Sequence, residues 1–456
     1  MNLDNFFKAK SVAIIGVSKD PQKVGHVVFK NLVDGGYKGK IFIVNPNATE
    51  ILGKVCYPSV TKIKDRIEFA VIAVPSNLVL KVIDDCARKR IKDILILSAG
   101  FKEIGNKKLE EQLKEKIKKY GMRMIGPNCL GVLDARTKQD TVFLPRNRMT
   151  RPKPGGISFI TQSGAVGSAV LDYSTKQGQR FAKFVSYGNA TTIDESDILE
   201  YMGKDKDTRV ICLYLEGISN GKKFLETAKK VARKKPIIAI KGGVTEAGAK
   251  ASLSHTGSLA GKAEVYHGVF RQANIIIANS VEEMFNYARI FENCFPPKGD
   301  RVQIITDGGG YGIMTADAVY KYGLRMAEMS ARTKTNLVKS LPKNAIIGNP
   351  IDVIGDATTE RYKLALNQCI TDKNIDILAV ILLAQVPLLT TDVVDVITGL
   401  NDKKIKPMVV IMTGGDFSDL IKRSLEEKGV PCFTFPENAV QSIAQLVKYN
   451  KVKRSR

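Results

Sequence analysis

The chain of 456 residues has no tryptophan and only three histidines, and aromatic residues make up 7% of it. That scarcity argues against a nucleic-acid binder, which stacks bases on exposed rings. Cysteine is sparse and odd in number, with seven dispersed copies, several of them (Cys86, Cys212, Cys369) inside apolar stretches. Such a set supplies neither a disulfide frame nor the paired spacing of a zinc site, and it predicts reduced thiols. No His/Cys/Asp cluster marks any other metal site. Apolar runs stay short of the roughly 20 residues that cross a bilayer. The start, Met1 to Phe7, lacks the basic and apolar segments of an export signal, so a cytoplasmic protein without a membrane is expected. Acidic residues are also short, 46 against 70 Lys+Arg, for a net charge of +24. The lysines are spread over predicted helix faces, as in Lys107 to Lys119, and the basic run from Lys451 to Arg456 reads as a fraying end. The surplus therefore predicts a solvated surface that attracts small anions rather than nucleic acid.

What is present is the material of an α/β protein. Apolar residues make up 44% and charged residues 25% of the chain, a globular balance, and the length predicts about three domains. Ser11 to Gly16, Lys40 to Pro46, Phe69 to Pro75 and Ile94 to Phe101 read as strands separated by helices. The opening is a nucleotide-binding βαβ pattern without a full G-x-G-x-x-G, since the next glycine after Gly16 is Gly25. Asn45-Pro46 stands where a dinucleotide-binding acid would close the second strand, which argues against a nicotinamide enzyme. Each strand ends in a small-residue or proline turn, such as Gly126-Pro127-Asn128-Cys129-Leu130-Gly131. One sheet edge thereby becomes a row of backbone donors suited to phosphates.

Beyond the polar stretch from Thr137 to Pro154, read as a linker, the sequence repeats itself. Gly156 to Gly167 and Arg301 to Gly312 match at a constant offset of 145, through Thr161/Thr306, Gly164/Gly309 and Gly167/Gly312. Lys235-Pro236 and Gly242-Gly243 return as Lys406-Pro407 and Gly414-Gly415. The expected domains are 1–148, Rossmann-like, then 149–296 and 297–456, two copies of one flavodoxin-like, doubly wound fold. Both copies open as strand, glycine turn and helix, and a helix start gathers partial positive charge. Two such starts facing one point would hold a phosphoryl group. His255, in Ser254-His255-Thr256-Gly257, has no counterpart in the second copy. It follows a Pro-started apolar run, Lys235 to Lys241, that reads as a buried strand, and so sits on a loop at the carboxyl edge of a sheet, where ligands of such sheets gather. A loop histidine can also do no more than satisfy its own backbone; the paired glycine turns favour phosphate chemistry. His26, after Gly25 at a helix start, is expected at the surface, with a contact to ligand phosphates as the other reading, and His267 is expected as a structural helix residue. Cys129 lacks a neighbouring histidine to activate it as a nucleophile.

These motifs together resemble the α subunit of the ADP-forming acyl-CoA (acetate–CoA) ligases of the succinyl-CoA synthetase superfamily. They run in the family's order: Gly16-Val17-Ser18, Gly126 to Gly131, Thr161-Gln162-Ser163-Gly164-Ala165, Leu215-Glu216-Gly217, Ser254 to Gly257, and Asn349 to Val353. The resemblance implies an acid–thiol ligase with a CoA-binding first domain and two ligase domains. It also implies a histidine, here His255, that is phosphorylated in the cycle and oriented by Glu216. The phosphate cradle would be Ser163, Gly164 and Ala165 with Gly308, Gly309 and Gly310. CoA or acetyl-CoA would lie along Gly16, Val17, Ser18, Lys19, Asn45, Pro46, Val74, Pro75, Ser76, Ser98, Ala99 and Gly100. Its thiol would come near Asn128 and Cys129. The family's ATP-grasp region is expected on a separate β subunit, in an α2β2 assembly, where ADP or ATP binds with Mg2+. Two other readings are a succinate-type ligase subunit and an inactive CoA sensor.

Overall fold

The computed structural model describes residues 1–248 and 263–454, which divide into two compact units, Met1–Val281 and Glu282–Arg456. Among the described residues no helix is long and apolar enough to cross a membrane.

The first unit opens with a short helix α1 (Asn5–Lys8), strand β1 (Ser11–Ile15), helix α2 (Val24–Asp34) and β2 (Lys40–Val44). A two-strand excursion, β3 (Glu50–Ile51) and β4 (Lys54–Tyr57), precedes β5 (Phe69–Ile72), α3 (Ser76–Arg88), β6 (Asp93–Ile96), α4 (Lys107–Lys119) and β7 (Arg123–Ile125). These strands form one sheet in the order β3-β4-β2-β1-β5-β6-β7, parallel except for the β3–β4 pair. Strand β5 is apolar at every position, β1 at every position after Ser11, and both are wholly buried, as expected when helices cover both faces. The order reverses at β1, so a crevice opens beyond the carboxyl ends of β1 and β5.

The chain then crosses to a second sheet earlier than the polar linker suggests. Strand β8 (Gly131–Asp134) pairs antiparallel with β10 (Phe181–Ser186) and forms the edge of that sheet. The stretch after it is no loose tether: Gln139 and Thr141 are buried, and Asp140 is bonded by Arg146 and Arg151. The second sheet contains β9 (Pro154–Thr161), β11 (Val210–Leu215), β12 (Ile237–Lys241) and β13 (Ile276–Ile277), in the order β13-β12-β11-β9-β10-β8. Helices α5 (Gly164–Lys176), α6 (Glu195–Lys204), α7 (Gly221–Ala232) and α8 (Ala263–Gln272) accompany it. The order reverses at β9, which places a second crevice beyond β9 and β11. One apolar cluster runs through both sheets, from Val12 and Phe29 to Ile160 and Leu213.

The second unit begins with most of helix α9 (Val281–Asn293) and carries β14 (Arg301–Thr306) followed by α10 (Gly309–Lys321). Its sheet has β14 flanked by Arg325–Met326 and Ile377–Ile381, the same arrangement that surrounds β9. The repeat legible in the sequence is thus a repeat of topology.

Candidate active site

The two crevices of the first unit open onto one cavity of 890 Å3. Val74, Ser98, Ala99, Asn128 and Cys129 line it from the first sheet, and Ser163, Gly164, Ala165 and Glu216 from the second. Sequence-predicted residues more than 100 positions apart therefore meet at one place. The turn Gly126 to Leu130 joins the walls. Asn128 N–H donates to the Ser98 carbonyl at 3.0 Å, and Leu130 N–H to the Ser186 hydroxyl at 3.1 Å. Gly188, at φ +59°, packs so tightly on this turn that a Cβ there would lie 2.2 Å from the Asn128 carbonyl oxygen.

Ser163 caps helix α5, accepting from Val166 N–H at 3.3 Å. The amides of Gly164 and Ala165, in the first turn, have no intrahelical acceptor. They stand at the cavity wall, so this helix start suits an anion. Beside it, the Gln162 side-chain carbonyl accepts from the amides of Glu216 and Gly217 at 2.9 and 3.0 Å, fixing the Leu-Glu-Gly turn. Gln162 was not singled out from the sequence, although it lies inside the quoted Thr-Gln-Ser-Gly motif. Its role depends on β9 and β11 being neighbours, which spacing alone does not state.

The second unit repeats this device with other side chains. Asp307 stands where Gln162 does, and its carboxylate accepts from the Leu383 amide at 3.1 Å. Strand register makes Leu383 the counterpart of Glu216. Gly308, Gly309 and Gly310 open α10 in this unit, and a Cβ on Gly309 would lie 3.3 Å from the Asp352 carboxylate. Burial pushes the Asp307 carboxyl up to about 6, against the pull of its backbone donors. Carboxyl groups thus already stand at the α10 start, whereas only neutral groups cap the α5 start.

The remaining expected cofactor residues fall at the first sheet's edge, outside the cavity lining. Gly16, at φ +99°, approaches the next strand so closely that a Cβ would meet the Ala73 carbonyl oxygen at 2.4 Å. Val17 is fully buried, so its side chain is closed to a ligand. Asn45 donates to the Val17 carbonyl at 2.7 Å, which ties the first two strand ends together next to Pro46. Ser18 and the exposed Lys19 follow in the same turn. His26, expected at the surface, is buried instead, its Nδ1 2.8 Å from the Ser18 carbonyl, because Gly25 lets α2 pack on this turn. Pro75 and Ser76 start α3 beside Gly100. The Gly100 amide is already committed to Glu103.

Glu103, Lys102 and Asn189 also line the cavity, and the sequence reading passed over all three. Asn189 donates to Glu103 at 2.7 Å. Burial opposes charge on Glu103, but Asn189 and the Gly100 and Phe101 amides outweigh it and hold the carboxyl below its usual range. Lys102 is turned to the Asn189 carbonyl and to Glu110. Cys129 points its thiol to the Ile96 carbonyl, and burial pushes that thiol up to about 12, which removes it as a nucleophile. His255 lies outside the described residues. Among those described, no group of three or more metal-binding side chains gathers.

Three family models match in succession: a CoA binding domain over residues 10–135, a succinyl-CoA ligase like flavodoxin domain over 154–291, and a ligase-CoA domain over 302–455. The chain is 38% identical to the acetate–CoA ligase [ADP-forming] II subunit alpha of Pyrococcus furiosus, over 98% of each. It is 40% identical to acetate–CoA ligase [ADP-forming] I of Archaeoglobus fulgidus, matching 99% of its own length and 64% of that protein's. A solved structure of the dinucleotide forming acetyl-coenzyme A synthetase 1 of Ca. Korarchaeum cryptofilum, in complex with phosphate and ADP, superposes with a TM-score of 0.92. That match has 35% identity and covers 99% of this chain and 98% of the other. The chain belongs to the family of ADP-forming acetate–CoA ligase α subunits, within the succinyl-CoA synthetase superfamily.

Proposed function

We propose that the chain is the α subunit of an ADP-forming acetate or acyl-CoA ligase, interconverting acyl-CoA, phosphate and ADP with carboxylate, CoA and ATP. The observation that carries this reading is the single cavity shared by the CoA-type sheet edge and the α5 helix start. Its wall near Leu97, Phe143 and Leu144 is apolar and suits the pantetheine arm, while Asn128 and the α5 amides offer polar partners to thioester and phosphate.

In the direction of ATP formation, a phosphate oxygen held at Ser163 to Ala165 attacks the thioester carbonyl. A C–O bond forms, the C–S bond breaks, and CoA leaves as a thiolate that takes up a proton. A nitrogen of His255 then attacks phosphorus in the acyl phosphate; the P–N bond forms as the P–O bond to the acyl group breaks, releasing carboxylate. Phosphoryl transfer demands positioning and charge stabilisation above all. Helix amides supply the second without a competing proton, and Glu216, bonded to the other ring nitrogen, supplies the first. The phosphoryl group finally passes to ADP, with Mg2+, on an ATP-grasp partner subunit. The Pyrococcus relative is itself an alpha subunit, which supports such a partner. Gly308 to Gly310 would complete the cradle from the second copy, and the metabolite chemistry fits a cytoplasmic location.

Incubation of the chain with acetyl-CoA and labelled phosphate tests the core of this reading. An acid-labile, alkali-stable phosphoryl label is expected, and it should vanish in His255→Ala. CoA binding without any label would make the chain a CoA sensor instead. A panel of acyl-CoA esters, assayed with the partner subunit, then separates acetate from succinate and larger acids.

A further inference from the structure

The two ends of a carboxamide are alike in shape and opposite in hydrogen bonding, so its neighbours settle which end is nitrogen. At Asn189, buried on the loop after β10, they leave one answer. Its side-chain NH2 group donates to Glu103 at 2.7 Å and to Glu110, on α4, at 2.9 Å. Both carboxylates are otherwise ringed by donors. Glu103 also accepts from the Phe101 amide at 3.0 Å. Glu110 accepts from the Thr191 hydroxyl at 2.7 Å and the Lys102 amide at 3.1 Å, with the Lys102 ammonium at 3.3 Å. An ionised carboxyl only accepts, so two of them hold the Asn189 nitrogen where it is. Its Oδ1 then faces the other way, where the Asn128 side-chain nitrogen stands at 3.3 Å.

That acceptor orients Asn128 in turn. One N–H of the Asn128 side chain goes to Asn189, and among the described residues nothing takes the other N–H or donates to its Oδ1. Asn128 lines the cavity, so this free edge is left to whatever occupies it. The backbone beneath is fixed as well. Asn128 sits at φ +57°, a conformation asparagine tolerates, and the Pro127 carbonyl accepts from the Asn189 N–H at 3.0 Å. The α5 start is adjacent, since a Cβ on Gly164 would lie 3.4 Å from the Leu130 Cβ. The free amide edge thus belongs to the turn that joins the CoA-type sheet edge to the helix start suited to phosphate.

We propose that Asn128 donates its free N–H to the thioester carbonyl oxygen, and that Asn189, locked by Glu103 and Glu110, is the positioning residue that aims it. The inference rests on the ligase reading of the cavity. As the phosphate oxygen bonds to the carbonyl carbon, the C=O electron pair moves onto oxygen, and the N–H meets that charge. The pair returns as the C–S bond breaks and the thiolate leaves; Asn128 transfers no proton. A donor already aimed at the developing charge needs no reorganisation during the step. The later attack by the imidazole falls on phosphorus, away from this oxygen.

Two labelling routes test this in the full chain. Phosphoenzyme formed from acetyl-CoA and labelled phosphate passes through the thioester step, whereas phosphoenzyme formed from labelled acetyl phosphate bypasses it. Asn128→Gly, which accepts the positive φ, should slow the first route roughly a hundredfold and leave the second within about threefold of the parent. Asn189→Ala should slow the first route on the order of tenfold. Glu103→Gln keeps the shape but sets a donor against the Asn189 NH2 group, and should slow the same route. Adding Asn189→Ala to Asn128→Gly should cost almost nothing more, because a positioning residue acts only through the group it positions. CoA affinity by calorimetry and melting temperature are followed alongside. Parent-like rates on the first route in Asn128→Gly or Asn189→Ala overturn the inference. So does a full cost of Asn189→Ala in the Asn128→Gly background. A loss shared by both routes, or by CoA affinity and melting temperature in proportion, overturns it too and leaves the ligase reading standing. A parent chain that takes no label from acetyl-CoA and phosphate overturns both.

Discussion

Glu216 and Leu383 hold matching places in the two copies, and only the first can orient an imidazole. Glu216→Gln keeps the shape and removes the charge, so phosphoenzyme formation should fall roughly a hundredfold while calorimetry finds CoA affinity unchanged. Equal labelling of the two proteins would remove Glu216 from the mechanism. Gly16 permits a different prediction, because its need is for space and backbone conformation. At φ +99°, with the Ala73 carbonyl oxygen 2.4 Å from any Cβ, Gly16→Ala should cost roughly 1–3 kcal/mol in denaturant titrations and weaken CoA binding. Cys129 should do neither. A thiol pushed up to about 12 and bonded to the Ile96 carbonyl stays unmodified by alkylating reagents at pH 8 until the chain unfolds.

At the level of elements, the two helix starts are alike in trace and differ in charge, one neutral and one acidic. The α5 start carries Ser163 and Gln162; the α10 start carries Asp307 and has Asp352 close to Gly309. Asp307 is held above its unfolded value, so its contribution to stability is complete below that value and is lost as pH rises through about 6. Asp307→Asn should therefore melt with a flatter pH dependence between about 4 and 6 than the parent. An unchanged slope there would show that Asp307 does not titrate in this range. The strand–glycine–helix units were legible because tight turns demand glycine wherever they occur, as at Gly164/Gly309 and Gly167/Gly312. The capping by Gln162 and Asp307 was not, since it depends on which strand lies beside which. The departure of β8 to the second sheet was hidden for the same reason: Gly131 to Asp134 reads as one more apolar run. His26 was misplaced because Gly25 was read as a flaw in a phosphate fingerprint rather than as room for α2.

Across the whole first unit, the second sheet is held at its β8 edge by buried charge, and the N-terminal segment meets it there. Lys183 on β10 is fully buried and pairs with Asp205 at 2.8 Å and with Asp134, on the crossing strand β8, at 3.1 Å. The N-terminal segment closes over it: Lys8 reaches Asp205 at 3.5 Å, and Phe7 stacks on Tyr201 at 5.3 Å. Burial opposes charge on Asp205, but the Lys183 ammonium and the Thr208 hydroxyl outweigh it and hold the carboxyl below its usual range. A depressed carboxyl contributes stability above its unfolded value and loses it as pH falls through the folded one. Lys183→Met reverses that sign: the buried carboxylates lose their partner and prefer to be protonated. At pH 7 the variant should lose about 3–5 kcal/mol, the cost of a buried ion pair stripped of one member. Its stability should then recover as pH falls toward 5, where the parent gains nothing from this cluster. Adding Asp205→Asn should restore part of the loss at neutral pH, because one uncompensated charge is gone. Urea titrations of the parent, single and double variants at two pH values measure all three terms. A single variant that is equally destabilised at both would mean that packing around Lys183, not its charge, holds this edge of the second sheet.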